Sequence, residues 1–311
     1  MRDIDLLVVG ELNADIVVTD PDPVPAFGQA ERLVDDVRLT LGSSSAITAC
    51  GAARLGLRVA FVGVVGDDAL GRFVLDALAA RGVDAAACRV VPRRRTGASV
   101  ILGNGTDRAI LTAIGTIADT RAADVPDGLL GRVRHLHVGS YFLQGGLAPD
   151  LPRLFLAARA NGATTSLDPN WDPTGSWDGG FAKALAEADV VLPNAAEALR
   201  LTAAEDVATA ARALAGDARI AVVKRGPDGA IAASGGEIVA VAARPVEPVD
   251  TTGAGDSFDA GFIAARLDGR SIPDALAYAV ACGSLSTRAV GGTEGQPTPS
   301  EVEAWLAEGT T

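Results

Sequence analysis

Short apolar runs rich in β-branched residues recur along the chain at Leu6–Val9, Ala60–Val64, Leu136–Val138, Thr165–Leu167, Val190–Leu192 and Ile220–Val223. Ala- and Leu-rich stretches with helical spacing alternate with them, at Ala46–Leu55, Gly71–Arg81, Pro152–Asn161, Phe181–Glu187, Ala195–Leu201 and Val207–Leu214. All-apolar strands separated by helices predict a mostly parallel sheet covered on both faces. The fold class expected is a doubly wound α/β domain flanked by helices, spanning residues 1–311, with ligands at the carboxyl ends of the strands.

Two segments break this rhythm. One holds Pro21, Pro23 and Pro25 and then alternates polar and apolar residues through Arg32–Leu39; the other alternates over Thr96–Thr112 around a turn at Gly103-Asn104-Gly105. Alternation with a turn reads as half-buried antiparallel strands. Together, residues 13–39 and 96–112 predict a small projecting sheet, either a lid over a site or ordinary edge strands. An exposed sheet also offers a surface for pairing, so a homodimer through it is expected.

Composition narrows the partners. The 311 residues are 48% hydrophobic and carry a formal net charge of -12, which argues against nucleic acid and anionic membrane. No stretch approaches the length of a membrane span, and the apolar start near Leu6 is too short for a signal peptide, so a cytoplasmic protein is expected. Cys50, Cys88 and Cys282 are scattered without a CxxC pair and read as buried small hydrophobes in a reducing compartment.

The stretch with most chemistry is Asp250-Thr-Thr-Gly-Ala-Gly-Asp256. The turn Gly253-Ala254-Gly255 opens into a helical run beginning at Asp256. Backbone N–H groups at such a helix start favour an anion. Asp256 reads either as an ordinary first-turn acid or as the base that takes a proton from an alcohol during phosphoryl transfer. The only lysines, Lys183 and Lys224, do not follow glycine, so a Walker A loop is absent. A dinucleotide fingerprint is missing its third glycine, because Phe258 stands there.

With Leu41-Gly42-Ser-Ser-Ser-Ala46, Ala53-Arg-Leu-Gly56 and Gly63-Val-Val-Gly66-Asp-Asp68 added in order, the sequence resembles the ribokinase family, also called PfkB-type carbohydrate kinases, over nearly its whole length. The resemblance implies a soluble ATP- and Mg²⁺-dependent kinase acting on a small sugar-like substrate held under the lid. It implies Asp256 as base and Gly253, Ala254 and Gly255 as the anion hole. Asn194 and Glu197 would organise the phosphate and Mg²⁺ region. Lys224, Gly226, Gly229 and Thr252 would border the nucleotide. Asn13 and Asp15 would hold sugar hydroxyls. A K⁺ site would draw on Asp250, Thr252, Ser286 and Gly292.

The chain departs from the family pattern after Gly42, where Ile47 stands in place of a sugar-binding Asn. Ser43, Ser44 or Thr48 would then supply the missing polar contact. Arg108, Tyr141, Phe142, Gln144, Asp168 and Asn170 are further pocket candidates, with Arg108 suited to a carboxylate or phosphate. Arg93–Arg95 reads as a solvated turn. His135 and His137 share a strand face and read as buried, hydrogen-bonded histidines rather than metal ligands. Two alternatives remain open: a nucleoside kinase of the same mechanism, and a catalytically silent sugar- or nucleotide-binding protein.

Overall fold

The structure, a computed structural model, describes residues 2–103, 108–216 and 219–308. Among them, nine strands form one sheet in the order Glu237–Val241, Ala230–Ser234, Ile220–Lys224, Val190–Val191, Thr164–Leu167, Val133–Val138, Ile4–Val9, Val59–Val62 and Val83–Asp84. The seven strands from Ile220–Lys224 to Val83–Asp84 are parallel. Alternate residues feed two cores. Leu6, Val8, Phe61, Leu192 and Val222 pack with Ala49, Phe258, Phe262 and Leu276 on one face. Leu7, Val9, Leu136, Leu167 and Val223 pack with Leu151, Phe155 and Leu214 on the other. Burial on both faces is why a strand such as Val59–Val62 is apolar throughout. The expected doubly wound sheet is therefore present, and no helix among the described residues is long and apolar enough to cross a membrane.

Ala230–Ser234 and Glu237–Val241 pair antiparallel at the sheet edge, joined at Gly235-Gly236, both with positive φ. The run expected at 60–64 divides into Val59–Val62 and Val64–Gly66, the latter pairing with Arg89–Val91 in a separate two-stranded sheet.

The alternating segments form a four-stranded sheet in the order Asp36–Leu41, Asn13–Thr19, Gly97–Gly103, Arg108–Ala113. Its two outer pairs are antiparallel as expected, but Asn13–Thr19 pairs with Gly97–Gly103 in parallel. The predicted turn residues Asn104 and Gly105 lie outside the described residues. Residues 20–35, which include Pro21, Pro23 and Pro25, hold no strand, because proline lacks the N–H a ladder needs.

His135 and His137 are buried. His135 bonds Thr164 Oγ1 (2.7 Å) and Ser166 Oγ (2.7 Å), and His137 bonds Ser166 Oγ (2.8 Å). Burial pushes them down to about 3 and about 4, so both rings are neutral. Arg94 of the basic turn is ion-paired with Asp119.

Candidate active site

The carboxyl ends of the parallel strands gather the candidate residues. Ser140 and Tyr141 follow Val133–Val138, Asp168 and Asn170 follow Thr164–Leu167, Asn194 follows Val190–Val191, and Lys224 ends its strand. The helix Ala254–Leu267 starts beside them, with Lys224 Nζ 3.6 Å from where a side chain on Gly255 would begin.

Gly253 caps this helix at φ 73°. A Cβ there would stand 2.7 Å from both Cα and O of Gly292, so the turn tolerates only glycine. Ala254 already donates its N–H to Thr251 O at 3.2 Å. The donors left to an anion are those of the following first-turn residues, which lack intrahelical partners. Asp256 sits among them, half-buried. Loss of hydration, reinforced by the charge of Asp168, pushes its carboxyl up to about 7.

Beneath the turn lies a buried charge cluster. Lys224 Nζ donates to Asp168 Oδ2 at 2.8 Å and to both oxygens of Asp259 at 3.1 Å. Burial opposes its charge, but Asp168 and Asp259 hold the ammonium well above its ordinary value. Lys224 is thus directed at Asp168 and Asp259 while lying beside Gly255 of the turn. Gly226 and Gly229, at φ 56° and 84°, shape the turn that follows, where Arg225 N–H donates to Gly229 O at 2.8 Å.

Asn194 and Glu197 close a reciprocal helix cap. Asn194 N–H donates to Glu197 Oε2 at 2.8 Å and its Nδ2 to Oε1 at 2.6 Å, while Glu197 N–H donates to Asn194 Oδ1 at 3.0 Å. Both carboxylate oxygens are therefore engaged within the cap. Burial and then Asp168 push its carboxyl up to about 7. Asp250 is engaged in a similar way, accepting from Thr252 N–H at 2.8 Å and Gly291 N–H at 2.9 Å. Ser286 Oγ donates to Gly283 O at 2.8 Å.

On the small sheet, Asn13 Nδ2 donates to Asp15 Oδ1 at 2.8 Å. Register places Thr40, Asp15, Ser99 and Thr112 in one polar row across all four strands. Burial pushes Asp15 up to about 6 despite the Asn13 hydrogen bond. Gly42 faces this pair: a Cβ on it would come within 2.5 Å of Asn13 Nδ2 and collide with Asp15 Oδ1. Gly42→Ala is therefore expected to displace the Asn13–Asp15 pair and lower kcat/KM for the sugar on the order of 100-fold, with the KM for ATP unchanged. Steady-state kinetics with each substrate varied in turn check this. Arg108 reaches from the outer strand to Thr252, Nη1 to Oγ1 at 2.9 Å, bridging the small sheet and the catalytic turn.

Several expected sugar contacts have other employment. Ser43 caps the helix Ser44–Arg54 and bonds Glu11 O at 2.6 Å and Oε1 at 3.1 Å. Thr48 Oγ1 donates to Asp256 O at 3.3 Å. Tyr141 is buried, donates its hydroxyl to Gly179 O at 2.8 Å and packs edge-on against Phe142 and Phe181. Gln144 bonds Gly139 O. Ile47 packs against the Gly253 turn, its Cγ2 3.0 Å from where a Cβ on Gly253 would stand, and against Gly292. The position of a residue in the chain does not disclose which way its side chain points, and that is why these assignments differ. Glu11 and Asp259 escaped sequence reasoning. The partners of each, Ser43 and Ser45 or Lys224, lie far away in the chain, so no local spacing points to them.

The profile described as pfkB family carbohydrate kinase matches residues 3–299. The chain belongs to that family. It is 33% identical to a fructokinase of Klebsiella pneumoniae, over 85% of this chain and 91% of that one. It is 30% identical to the ribokinase of Bacillus subtilis, over 97% and 99%. Among solved structures, a ribokinase II from E. coli in complex with ATP and Mg²⁺ superimposes with a TM-score of 0.84 at 27% identity, covering 98% of this chain and 99% of that one. The PfkB-family fold is ribokinase-like, and the protein is an ATP-dependent carbohydrate kinase that uses ATP and Mg²⁺.

Proposed function

We propose that this PfkB-family enzyme phosphorylates a hydroxyl of a neutral monosaccharide, with Asp256 as general base. The observation that carries this reading is the segment 42–48. Gly42 abuts the Asn13–Asp15 pair, and Thr48, on the helix that starts at Ser44, donates to the Asp256 backbone oxygen at 3.3 Å, so one short stretch of chain joins the two acids. A diol clamped by Asp15 and Asn13 would thus present another hydroxyl near Asp256. As the alcohol oxygen attacks the γ-phosphorus, its proton passes to the Asp256 carboxylate, and the bond from phosphorus to the bridging oxygen breaks to release ADP. N–H groups of the Gly253–Gly255 turn and helix start would stabilise the charge on the transferring group.

Asn194 and Glu197 would hold Mg²⁺ through water, since a carboxyl kept near 7 by burial gains from an arriving cation. Bound Mg²⁺ supplies charge neutralisation on the triphosphate. A K⁺ ion would rest on carbonyl oxygens of Asp250, Thr252, Ser286 and Gly292, because the Asp250 carboxylate is already spent on the loop. The four-stranded sheet would act as the lid, excluding water from ATP. Its exposed apolar residues Val37, Ile110 and Leu111 support pairing with a second copy.

A nucleoside reading is less well supported, because Tyr141, Phe142, Phe181 and Trp177 stack on one another rather than lining a base pocket. A silent binder is disfavoured by the intact turn and Asp256. The test is ADP release with Mg²⁺, with and without K⁺, across ketohexoses, aldopentoses, sugar acids, sugar phosphates and nucleosides. Turnover is expected with a neutral sugar. Turnover confined to nucleosides or phosphorylated sugars would replace the substrate class, and none at all would favour the silent binder.

A further inference from the structure

Glu11 is a buried acid, 1% exposed, with no part in the phosphoryl transfer, and it grips the serine run where the helix Ser44–Arg54 begins. Ser45 N–H donates to Glu11 Oε1 at 3.1 Å, and the Ser45 hydroxyl donates to Oε2. The Ser43 hydroxyl lies 2.6 Å from Glu11 O and 3.1 Å from Oε1 and shares its proton between them. Ser45 N–H is a first-turn donor without an intrahelical partner, so the Glu11 carboxyl is the resident acceptor at this helix start. Gly10 permits the close approach, since a Cβ on it would stand 2.2 Å from Ser45 Oγ. Ser43 itself has left-handed backbone at φ 72°, which costs free energy and persists where its surroundings over-determine it. On the other side of that turn, Gly42 N–H donates to Asn13 O at 3.1 Å, and Gly42 leaves no room for a Cβ against the Asn13–Asp15 pair. Glu11 and Asn13, two residues apart, therefore hold one turn from its two ends.

We propose that Glu11 is a positioning residue for the sugar end of the site: by gripping Ser43 and Ser45 it holds Gly42 against the Asn13–Asp15 pair and presets that pair for a diol. The proposal rests on the reading that Asn13 and Asp15 hold the sugar. Asn13 Nδ2 already donates to Asp15 Oδ1 at 2.8 Å, so the two side chains keep one mutual orientation as long as Gly42 stays packed on them. Once the turn is released, the sugar must order the pair on arrival, and that ordering is subtracted from its binding. The grip works through hydrogen bonds rather than charge. A glutamine at this position can accept from Ser45 N–H and the Ser43 hydroxyl through its carbonyl oxygen and donate its amide to Ser45 Oγ, since a hydroxyl also accepts. A methionine fills a similar volume and can do neither, leaving the N–H and hydroxyl of Ser45 without their acceptor.

The experiment is steady-state kinetics with sugar and ATP varied in turn, for wild type, Glu11→Met, Glu11→Gln, Ser45→Ala, Asp15→Asn and the doubles of Asp15→Asn with Glu11→Met and with Ser45→Ala, all well below their melting temperatures. Glu11→Met is expected to raise the sugar KM about tenfold and Ser45→Ala about threefold, the worth of the hydrogen bonds each removes, with the ATP KM unchanged. Glu11→Gln restores the wild-type sugar KM. Because Glu11 acts through the Asn13–Asp15 pair, its loss adds little once Asp15→Asn has disabled that pair, so the losses in kcat/KM for the sugar are not additive. Should Glu11→Met fail to fold, Ser45→Ala carries the same cycle. Additive losses, a sugar KM unmoved in the folded variants, or sugar and ATP KM raised alike overturn the proposal. An undiminished kcat/KM for the sugar in Asp15→Asn alone overturns instead the reading of Asp15 as a sugar ligand.

Discussion

Lys224→Met is expected to destabilise the protein by about 3–5 kcal/mol, the cost of leaving buried charge without its partner. The lysine side chain is 11% exposed and bonds two carboxylates, with Asp259 fully buried. Methionine fills a similar volume, so the loss isolates charge from packing. The effect carries a pH signature. Burial alone would raise the Asp168 carboxyl, but the Lys224 ammonium overrides it and holds it below the ordinary carboxylate range. A depressed folded value means stability that is present above the unfolded value and lost as pH falls through the folded one. The gap between wild type and Lys224→Met is therefore widest at neutral and alkaline pH and narrows on acidification, when the abandoned carboxylates take up protons instead. Thermal unfolding at pH 5 and pH 8 measures both. Equal melting temperatures at pH 8 would mean that Lys224 is free of this cluster and available to a nucleotide, as the family resemblance implies.

The difference between those two views of Lys224 marks where the sequence is legible. Parallel strands such as Ile4–Val9 and Val59–Val62 announce themselves, because burial on both faces leaves little room for polar residues. The edge hairpin Ala230–Val241 was open to detection through its Gly235-Gly236 turn between apolar runs, since two consecutive positive-φ residues suit a tight hairpin. The helix Ile272–Ser286 is apolar nearly all round, which hides its periodicity. At the site, the Gly253–Asp256 turn is legible because backbone geometry and residue type coincide. Asp168 and Asn170 are placed correctly at a strand end, yet their partners Lys224, Asp259, Ser44 and Ser140 come from other elements and no spacing predicts them. Thr48 and Tyr141 show the complementary limit: their bonds to Asp256 O and Gly179 O could not be read from position, which does not give side-chain direction.

Asp256→Asn is the second large effect. The amide is close in size and shape to the carboxyl, and Asn at the first turn keeps a polar side chain where the helix tolerates one. Helix and glycine turn have no reason to move, but the amide cannot take up the alcohol proton. Positioned general-base catalysis contributes about 10²–10⁴-fold, so kcat is expected to fall by that factor. Ligand binding should survive, because the Asn13–Asp15 pair and the backbone donors at the helix start are untouched. The loss then resides in kcat and in kcat/KM alike, the pattern of an interaction made only in the transition state. The most direct test of the account is single-turnover transfer of the γ-phosphoryl group by Asp256→Asn at saturating Mg·ATP and sugar, with affinities for both measured by calorimetry. The account predicts transfer slowed by about 10²-fold or more with both ligands bound as in wild type; transfer within a few-fold of wild type would contradict it.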